Sequence, residues 1–189
     1  MRISLIVLVG LLAVCSIHPA NAQSIEEKAA VCAGCHGEDG KPISPEIPVL
    51  WGQKEGYIYL QLRDLKRGDR KNEIMTGIAA GLEKTDMQEL AKYFSEKPWT
   101  NLQQKSADNA TAAQAQTVAA SAQCEGCHLS GYLGDSTIPR IAGQSEAYML
   151  KTMTEFRSGE RANNAWMVTL LKSYTESDIA ALSKYIAGL

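Results

Sequence analysis

The chain has 189 residues, 45% hydrophobic and 21% charged, with 19 Lys plus Arg against 21 Asp plus Glu and a net charge of −2. That balance lacks the strong basic excess of a nucleic-acid binder. The length suits two small compact domains.

The first predicted element is a leader, residues 1–22. Arg2 precedes an apolar run from Ile3 to Ile17, and Ala20, Asn21 and Ala22 form a small-x-small cleavage pattern. Gln23 is therefore expected to begin the mature, exported protein. The run is short for a membrane span, and no later segment is long and apolar enough to make one. Cys15 follows Val14 rather than a small residue, which assigns it to the leader and not to lipid attachment. Loss of Arg2 takes the net charge from −2 to −3. His18 leaves as well, so His36 and His128 are the mature histidines, and Cys32, Cys35, Cys124 and Cys127 the mature cysteines.

A helix expected over Ile25–Val31 runs into Cys32, Ala33, Gly34, Cys35 and His36. This is the attachment pattern of c-type haem: two thiols add to the vinyl groups and the adjacent imidazole binds the iron. A Gly- and Pro-rich loop follows, and Pro48 there reads either as an acceptor that offers its carbonyl to that imidazole or as a rigid loop corner. Next comes an amphipathic helix carrying Tyr57, Leu60, Leu62 and Leu65, with Gly68 as its C-terminal cap. A last helix is expected to start at Thr85, with Gln88 completing a capping box and Leu90, Tyr93 and Phe94 facing inward. The polar stretch from Pro98 to Ala110 reads as a linker, with its centre at 101–110. It separates a first domain, 23–100, from a second, 111–189.

The second domain rewrites the first. A helix over Thr111–Ala122 leads into Cys124, Glu125, Gly126, Cys127 and His128, 92 residues after the first motif. Pro48, Gly52, Gln53, Tyr57, Gly68, Arg70 and Asn72 recur 91 residues on as Pro139, Gly143, Gln144, Tyr148, Gly159, Arg161 and Asn163. Asp86, Leu90, Lys92 and Tyr93 recur at 92 as Asp178, Leu182, Lys184 and Tyr185. Thr175 and Asp178 open the last helix, whose inward face is Ile179, Leu182 and Ile186. Such self-similarity means tandem copies of one unit. No segment sustains a period of two, so the fold class is all-α.

Two haem c groups need ligands opposite the two histidines, and no spare His remains. Among the mature methionines, Met87, Met149 and Met153 align with Ile179, Ile58 and Leu62 and read as core fillers. Met75 and Met167 align with each other, each 39 residues after its His. They are the candidate axial ligands. A zinc reading of the motifs is weaker, because neither motif has a fourth ligand nearby in sequence, and paired disulfides would not explain the His after each pair. Arg70 and Arg161, with Tyr57 and Tyr148, are candidates for haem propionates or for the contact between domains. Trp166, beside Met167, reads as either a shield for the second haem or a core residue.

The double Cys-x-x-Cys-His layout, the Pro, Gly-Gln and Tyr run, the Gly-x-Arg-x-Asn segment and Met75-Thr76-Gly77 together resemble the cytochrome c4 family over essentially the whole mature chain. The resemblance implies two tandem class I cytochrome c domains related by a pseudo-twofold axis. It carries covalent attachment to Cys32, Cys35, Cys124 and Cys127, and axial ligation to His36, Met75, His128 and Met167. It also implies a periplasmic site, often at the membrane surface, and electron delivery toward a terminal oxidase. Leu129 stands where Gly37 does in the first copy, and Ala142 where Trp51 does, so the two haem environments are expected to differ.

The reading is an electron carrier between respiratory-chain donors, such as a quinol-linked complex, and a terminal oxidase or reductase. Iron with both axial positions filled has no open site, which disfavours stand-alone enzymatic chemistry. The alternative is a dihaem subunit of a periplasmic dehydrogenase, for example a flavocytochrome c sulfide dehydrogenase.

Overall fold

The computed structural model describes residues 23–189; the leader expected at 1–22 lies outside the described residues. Nine α-helices and one short 3-10 turn are found among them, with no strand beyond an isolated bridge, Asp135 to Ile138. The first half contains α1 (Ile25–His36), α2 (Glu55–Arg67), α3 (Glu73–Ala80) and α4 (Lys84–Ser95). The second contains α5 (Asn109–Ser121), α6 (Cys124–His128), α7 (Glu146–Ser158), α8 (Ala165–Leu171) and α9 (Glu176–Ala187). No described helix is long and apolar enough to cross a membrane.

Each half packs its last helix against its first and third-from-last, so that α4 meets α1 and α2, and α9 meets α5 and α7. In the first half Ala29, Ile58, Leu90, Ala91 and Phe94 form the core, with Leu62, Trp51 and Tyr93 against it. In the second, Ala115, Val118, Met149, Leu182 and Ile186 do the same with Ala142. The expected inward face of α9, Ile179, Leu182 and Ile186, is fully buried. The hydroxyls of Tyr57 and Tyr148 accept hydrogen bonds from the opposite half, which places both at the contact between halves.

Helix ends follow local chemistry. Gly68 (φ 80°) and Gly159 (φ 84°) close α2 and α7 in the left-handed conformation that glycine adopts at no steric cost. Thr175 and Asp178 form the expected capping box of α9. In α4 the box sits two residues earlier than Thr85: Glu83 is the cap, and its N–H donates to the Asp86 carboxylate at 2.8 Å. Asp86 also accepts from Lys28 at 2.6 Å, which ties α4 to α1, so the acidic group outcompetes Gln88.

The repeat also changes register earlier than sequence matching places it. Asn72 caps α3 and Asn164 caps α8, an interval of 92, so Asn164 and not Asn163 is the partner of Asn72. Asn163 is the extra residue of the second copy. The linker is pinned rather than loose. Gln104 donates to the carbonyls of Gln144 (2.9 Å) and Ala187 (3.1 Å) and accepts from the Glu146 N–H (2.8 Å).

The two halves meet along a seam with near twofold symmetry. Gln53 donates to the Arg140 carbonyl and accepts from the Arg140 N–H, both at 2.8 Å. Gln144 repeats this with Val49, donating at 3.0 Å and accepting at 2.9 Å. Val49 stands to Gln53 as Arg140 stands to Gln144, so the pairing is isologous in form. Both glutamines are buried, at 4% and 3% exposure. Truncating either leaves a backbone N–H and C=O buried without partners, a cost of about 1–3 kcal/mol. Gln144→Ala is therefore expected to lower unfolding free energy by about that amount in denaturant titration. The double variant Gln53→Ala/Gln144→Ala is expected to split the single calorimetric transition in two, and a single unsplit transition would contradict the seam's role.

Candidate functional site

The first Cys-x-x-Cys-His motif is the end of α1, where helical spacing puts Cys32 and Cys35 on one side and His36 in the final turn. In the second half the helix breaks first. Gln123 takes a left-handed conformation (φ 52°), and Cys124–His128 form the separate short helix α6. All four thiols are free, as thioether formation requires, and none is buried outright. Burial pushes the Cys32 and Cys124 thiols up, so both are held as neutral SH groups.

The loops leaving the two motifs share a backbone that suits one residue better than the other. Gly37 has φ 91°, and Leu129, in the matching place, φ 62° with ψ 171°. A leucine there is strained. A Cβ on Gly37 would fall 2.0 Å from the Lys41 carbonyl oxygen, so the first loop requires glycine where the second has opened enough to admit Leu129.

Both imidazoles are oriented as ligands need to be. His36 Nδ1 lies 2.8 Å from the Pro48 carbonyl and His128 Nδ1 3.0 Å from that of Pro139. A carbonyl can only accept, so Nδ1 carries the proton in each ring and Nε2 keeps its lone pair. Burial lowers both pKa values, against the opposing pull of the proline carbonyl, which keeps the rings neutral. A neutral imidazole with a fixed tautomer is the form that binds metal.

Met75 and Met167 occupy matching places on α3 and α8. In each case the backbone N–H of the methionine donates to the side chain of the asparagine cap, Asn72 at 2.9 Å and Asn164 at 3.1 Å. Both methionines are half-buried, and Met167 packs against Phe156, Leu171 and Ile179. Met87 and Met149 are buried core residues, and Met153 packs against the core, as their unpaired positions in the repeat imply. Trp166 is neither a core residue nor covered: it is 86% exposed. Among the described residues no group of three or more His, Cys, Asp or Glu side chains is arranged to hold a metal ion.

Arg70 and Arg161 serve the contact between halves. Arg70 donates to the Tyr148 hydroxyl (3.2 Å) and Arg161 to that of Tyr57 (3.4 Å). Sequence reasoning missed Gln53, Gln144, Gln61 and Asn163 as interface residues. For the first two the signal was present, since Gly-Gln recurs 91 residues on with no local reason for a glutamine. The residue set fits haem: paired free thiols, neutral imidazoles and soft thioethers.

The comparisons agree. The family model for cytochrome c matches residues 112–189. A cytochrome c4 of Pseudomonas aeruginosa is 34% identical over 181 residues, covering 89% of both chains. The crystal structure of reduced recombinant cytochrome c4 from Pseudomonas stutzeri superposes with a TM-score of 0.77 at 34% identity, over 89% of this chain and 100% of that one. A protein of Stutzerimonas stutzeri named thiosulfate dehydrogenase electron acceptor is 28% identical, over 85% of this chain and 80% of its own.

Fold and motifs together define a dihaem class I c-type cytochrome, all-α, with two covalently attached haem c groups, one for each Cys-x-x-Cys-His motif. The chain belongs to the cytochrome c4 family.

The asparagine caps give a direct test of how α3 and α8 are held. Asn72→Ala and Asn164→Ala are each expected to cost about 1 kcal/mol of stability. Asn163→Ala, at the residue sequence matching pairs with Asn72, is expected to leave the α8 cap intact. Amide hydrogen exchange at Met75 and Met167 reads both effects, and equal protection loss at Met167 in Asn163→Ala would refute the revised register.

Proposed function

We propose that the protein is a periplasmic electron carrier in which His36 and Met75 ligate one iron and His128 and Met167 the other. Cys32, Cys35, Cys124 and Cys127 form the thioether links. Residues 23–100 and 111–189 are its two cytochrome domains, 101–110 the linker and 1–22 a cleaved leader. Its partners are redox proteins: a quinol-linked donor on one side and a terminal oxidase or reductase on the other, with contact at the membrane surface.

The observation that supports this reading is the matched pair of neutral imidazoles, each with Nδ1–H on a proline carbonyl and each followed 39 residues later by a capped, half-buried methionine. When bound, each haem supplies one reversibly transferred electron. The protein's part is to hold still. Pro48 and Pro139 fix the imidazole planes. Asn72 and Asn164 fix the first turn of the helices that bear the thioethers. With haem bound, ligation by His36 with Met75 and by His128 with Met167 would favour a raised potential, and an iron held by two protein side chains would offer no position to a substrate.

A second reading, a cytochrome that serves a dehydrogenase, draws on two observations. Trp166 projects from the start of α8 at 86% exposure, with Leu129 and Leu133 exposed beside His128 in sequence. An exposed Trp offers a partner a large apolar anchor, and a relative at 28% identity is named as the electron acceptor of thiosulfate dehydrogenase. On this reading Trp166→Ala slows reduction by such a dehydrogenase while leaving both potentials in place.

The carrier reading is tested with the exported holoprotein. A pyridine haemochrome assay is expected to find two covalently bound haems per chain, and the ferric spectrum to be low-spin. Met75→Ala is expected to make one haem high-spin and lower its potential while sparing the other, and Met167→Ala to do the converse. A high-spin haem in the unmodified protein, or two potentials untouched by both substitutions, would overturn the ligand assignment.

A further inference from the structure

A groove of about 270 Å³ lies between α2 and the start of α4, lined by Tyr59, Arg63, Lys66, Arg67, Lys84 and Met87. Tyr59, Arg63, Lys66 and Arg67 follow one another at the spacing of a single face of α2. Met87 is buried and Tyr59 half-buried, while Lys66, Arg67 and Lys84 are exposed. The groove therefore has apolar surface at depth and cations at its rim.

The second half shows which of these residues the fold itself requires. Lys66 donates to the Leu82 carbonyl, and its counterpart Arg157 donates to the Tyr174 carbonyl at 2.7 Å. That contact ties α2 and α7 to the loops before α4 and α9, so it serves the fold in both copies. The other cations have no such counterpart. Tyr59, Arg63, Arg67 and Lys84 stand where the second half has Leu150, Thr154, Ser158 and Glu176. In the second half Arg157 closes onto Glu176 at 3.7 Å. In the first, the same two places hold Lys66 and Lys84, like charges that cannot pair.

Helix electrostatics does not account for this rim. Lys66 and Arg67 complement the negative C-terminal end of α2, but Lys84 sits in the first turn of α4, where the positive end of the helix disfavours a cation. Glu176 occupies the favourable choice at the same place in α9. Arg63 pairs with Asp64 at 2.8 Å and Lys66 approaches Glu83 at 3.8 Å. Among the described residues neither Arg67 nor Lys84 has a carboxylate within ion-pair distance. A local rule broken in one copy and kept in the other marks a functional demand on the first.

The rim also has the shape of its occupant. Its cations are strung along α2 over roughly 12 Å, eight residues of helical rise, and do not converge on one point. That suits an extended chain better than a single phosphate. Guanidinium groups match carboxylates in geometry, and Tyr59 and Met87 offer apolar contact to an aliphatic side chain.

We propose that this groove docks an extended acidic segment of a partner protein, rich in Asp and Glu and carrying one aliphatic side chain. None of the residues assigned to haem attachment or iron ligation lines the groove. The partner is thus held by a surface separate from both haem sites, and the proposal goes beyond the carrier reading without depending on its ligand assignment.

The test uses the holoprotein with both haems bound and the synthetic peptide acetyl-EEDLEED-amide as probe, with affinity read by titration calorimetry. Binding is expected to weaken as salt is added. Arg67→Ser/Lys84→Glu places the second half's own residues at exposed positions, so the fold is kept. It is expected to weaken binding about tenfold, the worth of two or three exposed ion pairs, and to leave both haem spectra unchanged. Lys41→Ser/Lys105→Glu removes the same charge from exposed positions outside the groove and is expected to alter affinity by less than about twofold, because distant charges are screened. Amide shifts on binding are expected at 59–67 and 84–87. Absence of peptide binding would overturn the proposal, as would equal weakening by the two double variants or amide shifts confined to other elements. So would tighter binding of pyrophosphate, or of phosphatidylglycerol vesicles, than of the peptide, abolished by Arg67→Ser/Lys84→Glu; the groove would then serve a small anion or a lipid surface.

Discussion

Two short loop segments each hold an imidazole in place and also form the joint between the halves. In the first half, residue 48 offers the carbonyl that accepts a hydrogen bond from His36 Nδ1–H, residue 49 pairs its backbone with Gln144, and residue 53 pairs with the backbone of residue 140. In the second, residues 139, 140 and 144 do the same. Six residues thus bind an imidazole on one side and the neighbouring domain on the other. The loop cannot shift to loosen the seam without also moving the acceptor that fixes the imidazole. The angle of each imidazole ring and the relative placement of the halves are one mechanical variable.

Magnitudes show which contacts define that joint. Glu46 and Lys151 approach at 3.6 Å across the halves, but both are well exposed. Such pairs contribute ~0–1 kcal/mol. The glutamine pairs are buried, and each satisfies a backbone donor and acceptor that has no other partner in the seam. Their value lies less in the net gain of a hydrogen bond, about 0.5–1.5 kcal/mol, than in the penalty for leaving those groups unpaired. Polar groups of that kind specify one orientation, because a slide of a single residue breaks them all. The apolar cores, by contrast, lie inside each half and would tolerate many arrangements of the two.

Chemistry that acts through covalent or coordinate bonds was readable in the sequence; chemistry that acts through shape was not. Two thiols and an imidazole at fixed spacing have few other uses, so the motifs, the repeat and the all-helical class followed from residue types alone. Proline carbonyls were candidate acceptors because a ligating His needs one, but a rigid loop corner explained Pro48 and Pro139 equally well until the ring contacts were seen. Gln53 and Gln144 were visible as repeats, yet their role is relational, and nothing local marks a glutamine whose partner is a backbone some 90 residues away. The Asn163 alignment failed for a similar reason. Two adjacent asparagines match the pattern equally well, and only the cap geometry shows that Asn164 does the work of Asn72. Thr85 was a sound capping candidate on its own terms, displaced because Asp86 is recruited both by the Glu83 N–H and by Lys28 of α1.

Duplication gives two like pockets, and the departures from likeness make them distinguishable. Leu129 in a left-handed conformation separates the second motif's exit from that of Gly37. Gln123 breaks the helix that runs unbroken through the first motif. Gln61 and Asn163 gather three donors onto one oxygen on a single side of the seam. Each change sits within a few residues of a ligand or of the seam, and none disturbs the paired glutamines, the proline acceptors or the asparagine caps. A carrier with two identical sites would hold its two electrons at the same potential and lack a preferred direction between them. Differences confined to the surroundings, with the paired histidines and methionines kept alike, are the means by which a duplicated fold can separate two sites in energy without changing the residue types at either.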